Sequence, residues 1–175
     1  GKFIRLLFDS NGKLSGAEIE SYLLEKSRVI SQSSSDRSYH IFYQLLSDGM
    51  PDIKDLLGLT GRPSDYRFLS QGMEEIDTVD DGKEMKCTEK SLNILGFSAD
   101  ERLLVYQLSA AVLLMGEMKF TQRSNSEQAY PDGLAEAHKV CDLLKINMHK
   151  FLDAFTEPTV VVNDEIVRQS RNLQQ

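Results

Sequence analysis

The chain has 175 residues, 20 Lys plus Arg against 27 Asp plus Glu, a formal net charge of −7, and 41% hydrophobic with 27% charged residues. That balance suits one globular domain or a large piece of a bigger one, and it excludes a disordered tail, a collagen-like repeat and a disulfide-dense scaffold. The longest apolar stretch, residues 103–115, is broken by Gln107 and Ser109 and is shorter than the roughly 20 residues that span a bilayer; between Glu74 and Glu84 six carboxylates face one ammonium, Lys83, which would repel a phosphate backbone. Neither a membrane nor a nucleic acid is expected as a partner.

The opening Gly1-Lys2-Phe3-Ile4-Arg5 has no initiator Met and no signal-peptide pattern, and reads as cut from a longer chain. Cys87 and Cys141 lack partners at metal-ligand spacing and read as reduced thiols of a cytosolic protein. Asn11-Gly12 lies between two apolar runs, and both residues tolerate the positive φ of a tight hairpin turn, so residues 3–9 and 14–24 are expected to pair as strands. A helix over 14–24 fits as well; in a strand, Gly16 would mark a bulge or bend. Residues 32–36 form a polar, serine-rich loop. The spacing of Ile41, Phe42, Leu45 and Leu46 then predicts a helix over 38–46, buried on one side.

Pro51 and Gly58 bracket a short helix at 52–57. Residues 61–65 read as a turn, 66–69 as a brief extended segment and the acidic stretch as a solvated loop. Thr88 is expected to cap a helix through Leu95, closed by Gly96 and Phe97. Ser98-Ala99-Asp100-Glu101 fits a reciprocal capping box, and Leu104, Leu108, Ala111, Val112 and Met115 form the apolar stripe of the helix it opens. After a polar segment at 121–131, Asp132 is expected to cap a helix presenting Leu134, Ala137, Val140, Cys141 and Leu144, and Asn147 a last short helix to Phe155. Thr159-Val160-Val161-Val162 and Glu165-Ile166-Val167-Arg168 flank Asn163-Asp164 as a small hairpin. The fold class is mixed, α+β and helix-dominated, without repeats or heptads.

Chemistry is sparse. There is no Walker-type loop, dinucleotide fingerprint or nucleophile elbow. His40, His138 and His149 lie on different predicted elements, and no metal, cofactor or catalytic residue is assigned. The terminal hairpin is the exception: five β-branched residues, Val160, Val161, Val162, Ile166 and Val167, sit on a ribbon that is marginal alone. It either packs against its parent protein or forms an exposed arm for a partner.

The strings Tyr22-Leu23-Leu24-Glu25-Lys26-Ser27-Arg28-Val29 and Arg37-Ser38-Tyr39-His40-Ile41-Phe42-Tyr43-Gln44-Leu45 resemble the myosin heavy-chain motor domain. So do Gly1 to Arg5, Tyr66-Arg67-Phe68-Leu69-Ser70-Gln71-Gly72, Ile94-Leu95-Gly96-Phe97-Ser98 and Pro131-Asp132-Gly133, in the family's order and over the whole chain. The resemblance is nearest to class II, muscle-type myosin.

This resemblance implies a fragment of a P-loop NTPase-type motor domain, most of its upper 50 kDa actin-binding subdomain. Residues 1–29 would be transducer strands following switch I, 30–155 the mainly helical subdomain with loop 4 at 122–133, and 156–175 the cardiomyopathy-loop hairpin. The parent would be an actin-activated MgATPase with light chains and a dimeric, coiled-coil heavy chain, in the thick filament or the actomyosin cytoskeleton of the cytoplasm. Its partners would be the actin filament and the remainder of the heavy chain. The phosphate-binding loop would precede Gly1 and switch II would follow Gln175, leaving this chain catalytically inactive alone. The implied actin-binding residues are Arg123 and Glu127 in loop 4 and Val160, Val162, Glu165, Ile166 and Arg168 on the hairpin. The other reading of the residues is a non-enzymatic module that binds a protein through that hairpin.

Overall fold

The structure, a computed structural model, describes residues 1–122, 124, 128–162 and 165–173. Strands β1 (Lys2–Phe8) and β2 (Leu14–Ser21) pair antiparallel, from Lys2 opposite Ser21 to Leu7 opposite Gly16. The register then shifts so that Phe8 faces Leu14. Ser15 is left as the extra residue, and the irregularity falls beside Gly16 as expected. The strand reading of 14–24 therefore prevails over the helical one, although β2 stops at Ser21.

The turn differs from the two-residue Asn-Gly form. Five residues connect the strands, and only Gly12 takes positive φ, +74°, with Asn11 outside the left-handed region. The Asp9 carboxylate accepts the amides of Asn11 and Lys13, both at 2.9 Å, so a side chain organises the loop that two left-handed residues were expected to shape. Both faces of this ribbon are exposed, including Phe3, Ile4, Leu6, Phe8 and Ile19.

The body is helical: α1 (Ser27–Ile30), α2 (His40–Leu46), α3 (Pro51–Leu56), α4 (Asp81–Ile94), α5 (Ala99–Met115), α6 (Ala135–Leu144) and α7 (Met148–Thr156), with a 3-10 turn at Pro63–Asp65. Helix α5 lies at its centre, packed against α2, α4 and α6. Ser98 opens it with the expected reciprocal box: its hydroxyl accepts the Glu101 amide, and the Glu101 carboxylate accepts the Ser98 amide at 2.8 Å. The buried face follows the expected stripe only in part, with Ala111 buried and Val112 and Met115 packed against the core. Tyr106, Ala110, Ala111, Leu113 and Leu114 are buried, whereas Leu104 and Leu108 are 56% and 57% exposed. α5 is apolar on more than one side, so which side is buried depends on where its neighbours sit.

Other expectations change for similar reasons. Helix α2 is enclosed all round, with Phe42, Tyr43, Gln44, Leu45 and Leu46 all buried. Residues 66–69 make turns, the Leu69 and Ser70 amides both donating to the Tyr66 carbonyl at 2.9 Å, in place of an extended segment. α4 starts seven residues before Thr88. Asp80 caps it by accepting the Lys83 amide at 3.0 Å, an interaction that pulls its pKa below the usual carboxylate value. The end of the acidic stretch is therefore helical, with Asp81 and Glu84 in the first turn where the helix dipole favours negative charge. Thr88 sits mid-helix and donates to Gln44 Oε1 at 2.8 Å. Asp132 caps nothing: its amide bonds the Lys119 carbonyl, and Leu134 stands at the start of α6. Asn147 does cap α7, accepting the Lys150 amide at 3.0 Å.

Two polar groups, buried Arg37 and half-buried Glu89, fasten these helices. The Arg37 guanidinium, its side chain only 5% exposed, pairs through both terminal nitrogens with the Asp81 carboxylate, donates to the Glu74 carbonyl at 2.8 Å and lies 3.7 Å from the Tyr43 ring centroid. Glu89 of α4 accepts Arg102 at 2.8 Å and the Tyr106 hydroxyl at 2.7 Å, both from α5. Burial, reinforced by that carboxylate, pushes the Tyr106 pKa far up, so the phenol stays a donor.

A short hairpin that the sequence did not announce joins β3 (Phe120–Gln122) to β4 (Ala129–Pro131). The expected terminal hairpin is present as β5 (Thr159–Val162) and β6 (Glu165–Arg168). Among the described residues the strands form three separate two-stranded antiparallel sheets, an α+β arrangement, and no helix is long and apolar enough to cross a membrane.

Candidate functional site

In the terminal hairpin Thr159 faces Arg168, Val160 faces Val167, Val161 faces Ile166 and Val162 faces Glu165. Strand alternation puts Val161 and Ile166 together on one face, where they are 71% and 75% exposed. On the other face Val160 and Val167 are partly exposed as well. Within this chain the hairpin is thus an arm and not a packed element. Glu165 and Arg168 are exposed upon it. The Asn163-Asp164 turn and the Val162 side chain lie outside the described residues, as do Arg123 and Glu127.

The base of this arm is fastened. After β6 the Gln169 amide donates to the Pro158 carbonyl at 2.9 Å and the Arg171 amide to the Thr156 carbonyl at 3.0 Å. The Arg171 carbonyl in turn accepts the Ala129 amide at 2.7 Å, at the start of β4. Beside that link Gln128 Nε2 donates to Glu157 Oε1 at 2.6 Å, and the other Glu157 oxygen lies 3.6 Å from Arg168. Underneath, the Phe155 ring of α7 meets Phe151 edge-on at 5.1 Å and Phe120 of β3 at 6.0 Å.

The described ends of the two segments that the resemblance placed at actin are therefore joined, through Gln128 and Ala129 on one side and Glu157 and Arg171 on the other. Sequence reading missed Gln128, Glu157, Phe120 and Phe155, which make the joint; the four-residue spacing of Phe151 and Phe155 was the one available signal. A cleft of about 360 Å³ separates α7 from the hairpin, between Lys150, Asp153, Glu157 and Arg168.

No three His, Cys, Asp or Glu among the described residues are grouped to hold a metal ion. His149 Nδ1 lies 2.9 Å from Asp153 Oδ2, one turn along the exposed side of α7.

Over residues 1–175 the chain matches the family model described as myosin head (motor domain). The chain belongs to the myosin head family. It is accordingly part of a myosin motor, and its mixed helices and small antiparallel sheets are a piece of that motor's fold. MgATP, the nucleotide that the resemblance implies for the parent motor, finds no fit at residues 1–3 as the structure describes them. Gly1, Lys2 and Phe3 are exposed, and nothing lies within 4 Å of the position a Gly1 side chain would occupy. No phosphate cradle closes there.

Proposed function

We propose that this chain supplies part of the actin-facing surface of a class II, muscle-type myosin, acting in the thick filament or the actomyosin cytoskeleton of the cytoplasm, and that the β5–β6 hairpin is its main contact. One observation carries this reading: the hairpin exposes apolar β-branched side chains on a ribbon too short to exist for its own sake. Val160, Val162, Ile166, Glu165 and Arg168 are the contact residues in this reading, with Arg123 and Glu127 contributing from the second loop. The open-edged β1–β2 ribbon would join further strands of the motor's transducer sheet. Nucleotide chemistry, light chains and heavy-chain pairing would belong to other parts of the motor, so these 175 residues alone are expected neither to bind nor to hydrolyse MgATP.

Deleting residues 162–166 within a complete motor domain tests the reading by cosedimentation with actin filaments at fixed salt. Weaker binding is the expected result. Unchanged affinity would return the hairpin to a packing role.

A further inference from the structure

We propose that Glu157 is a positioning residue that fastens Gln128, at the entry to β4, to the base of the β5–β6 hairpin, so that these two described segments stand in one fixed relation when a filament is met. The inference rests on the reading of the hairpin as actin-binding.

Glu157 follows directly after α7, and its own amide donates to the Asp153 carbonyl at 2.7 Å, so its backbone is part of the helix end. From that fixed root its carboxylate reaches both loops, Gln128 on one side and Arg168 on the other. The two arms are unequal. Arg168 is 74% exposed and 3.6 Å away, a pair worth little in water. The Gln128 bond is short, partly buried and assisted by the carboxylate charge, and so carries the restraint.

Gln128 is the neighbour of Ala129, whose amide bonds the Arg171 carbonyl. The Ala129–Arg171 bond and the Phe120–Phe155 contact hold the two segments near each other, and a second hydrogen bond one residue from Ala129 restricts their pivoting further. Association with a filament otherwise carries the cost of ordering each loop at the moment of contact, and a joint set in advance lowers it. Glu157 thereby acts on actin affinity without touching actin.

The test uses a motor domain carrying this sequence, with Glu157→Ala, Gln128→Ala, the double variant and Glu157→Gln. Hydrogen exchange at the Ala129 amide reads the joint directly, and cosedimentation reads actin affinity. Either single Ala variant is expected to speed Ala129 exchange and to weaken actin binding about three- to tenfold, with the double variant no worse than one single, as for two ends of one interaction. Glu157→Gln keeps an acceptor for Gln128 but loses the charge that strengthens the bond, so both readouts should fall between wild type and Glu157→Ala.

Additive losses, or a Glu157→Ala variant with unchanged Ala129 exchange, would overturn the proposal. Removal of the hairpin weakening actin binding while Glu157→Ala does not would sink the joint and leave the hairpin reading standing. Removal of the hairpin without effect would sink both.

Discussion

The Arg37–Asp81 pair should respond asymmetrically to loss of its two members. Asp81→Ala leaves a guanidinium in a residue 7% exposed, with the Glu74 carbonyl, a long 3.5 Å contact to His40 Nδ1 and the Tyr43 ring but no carboxylate, and with its Nε already without a hydrogen-bond partner among the described residues. Arginine cannot shed its proton to escape, so the cost is that of a stranded buried charge, about 3–5 kcal/mol. Arg37→Met keeps an apolar stem against Tyr43 and strands Asp81 instead. That carboxylate is 21% exposed and sits in the first turn of α4, where water and the free helix amides still stabilise it. Loss of the pair and of the cation–π contact then costs about 1–2 kcal/mol. At about 2–4 °C per kcal/mol for a chain of this size, Asp81→Ala should lower the melting temperature by about 10 °C and Arg37→Met by about 4 °C. Thermal unfolding followed by far-UV circular dichroism measures both. Equal shifts, or a larger one for Arg37→Met, would refute the argument from stranded charge.

Gly49→Ala should destabilise by about 2–4 kcal/mol, because the added Cβ would stand 2.4 Å from the Gly82 carbonyl oxygen, a backbone atom at the start of α4 that cannot swing away; urea unfolding of the variant checks it, and a wild-type midpoint would mean that α4 can shift. Of the two thiols, exposed Cys87 should react with an aromatic disulfide at least about a hundredfold faster than Cys141, whose burial, helped by Asp142, pushes its pKa up and suppresses the thiolate; two equal phases in the absorbance trace would contradict this. Glu165→Ala in a complete motor should slow actin association at low salt by a factor that shrinks as salt rises, since one rim carboxylate acts through steering; stopped-flow rates equal to wild type at two ionic strengths would make Glu165 a bystander.

What the sequence determined by itself is whatever is settled within a few residues. The Ser98–Glu101 box, the Asn147 cap, the irregularity beside Gly16 and the terminal hairpin needed only neighbours along the chain, and each is present. The strings that resemble a myosin were equally legible, and the family match extends over all 175 residues. Only the tertiary structure decided which face of α5 is buried, because a helix apolar on several sides has no preferred inward direction until α2, α4 and α6 surround it. It also decided where α4 begins: Asp80 caps locally, but the acidic first turn is held by Arg37 from 44 positions away. The joint at Glu157 was equally invisible. Its partners lie 29 and 11 positions away in opposite directions along the chain, and neither Gln128 nor Arg168 has any periodicity that points to a carboxylate until folding brings the roots of both loops to the end of α7.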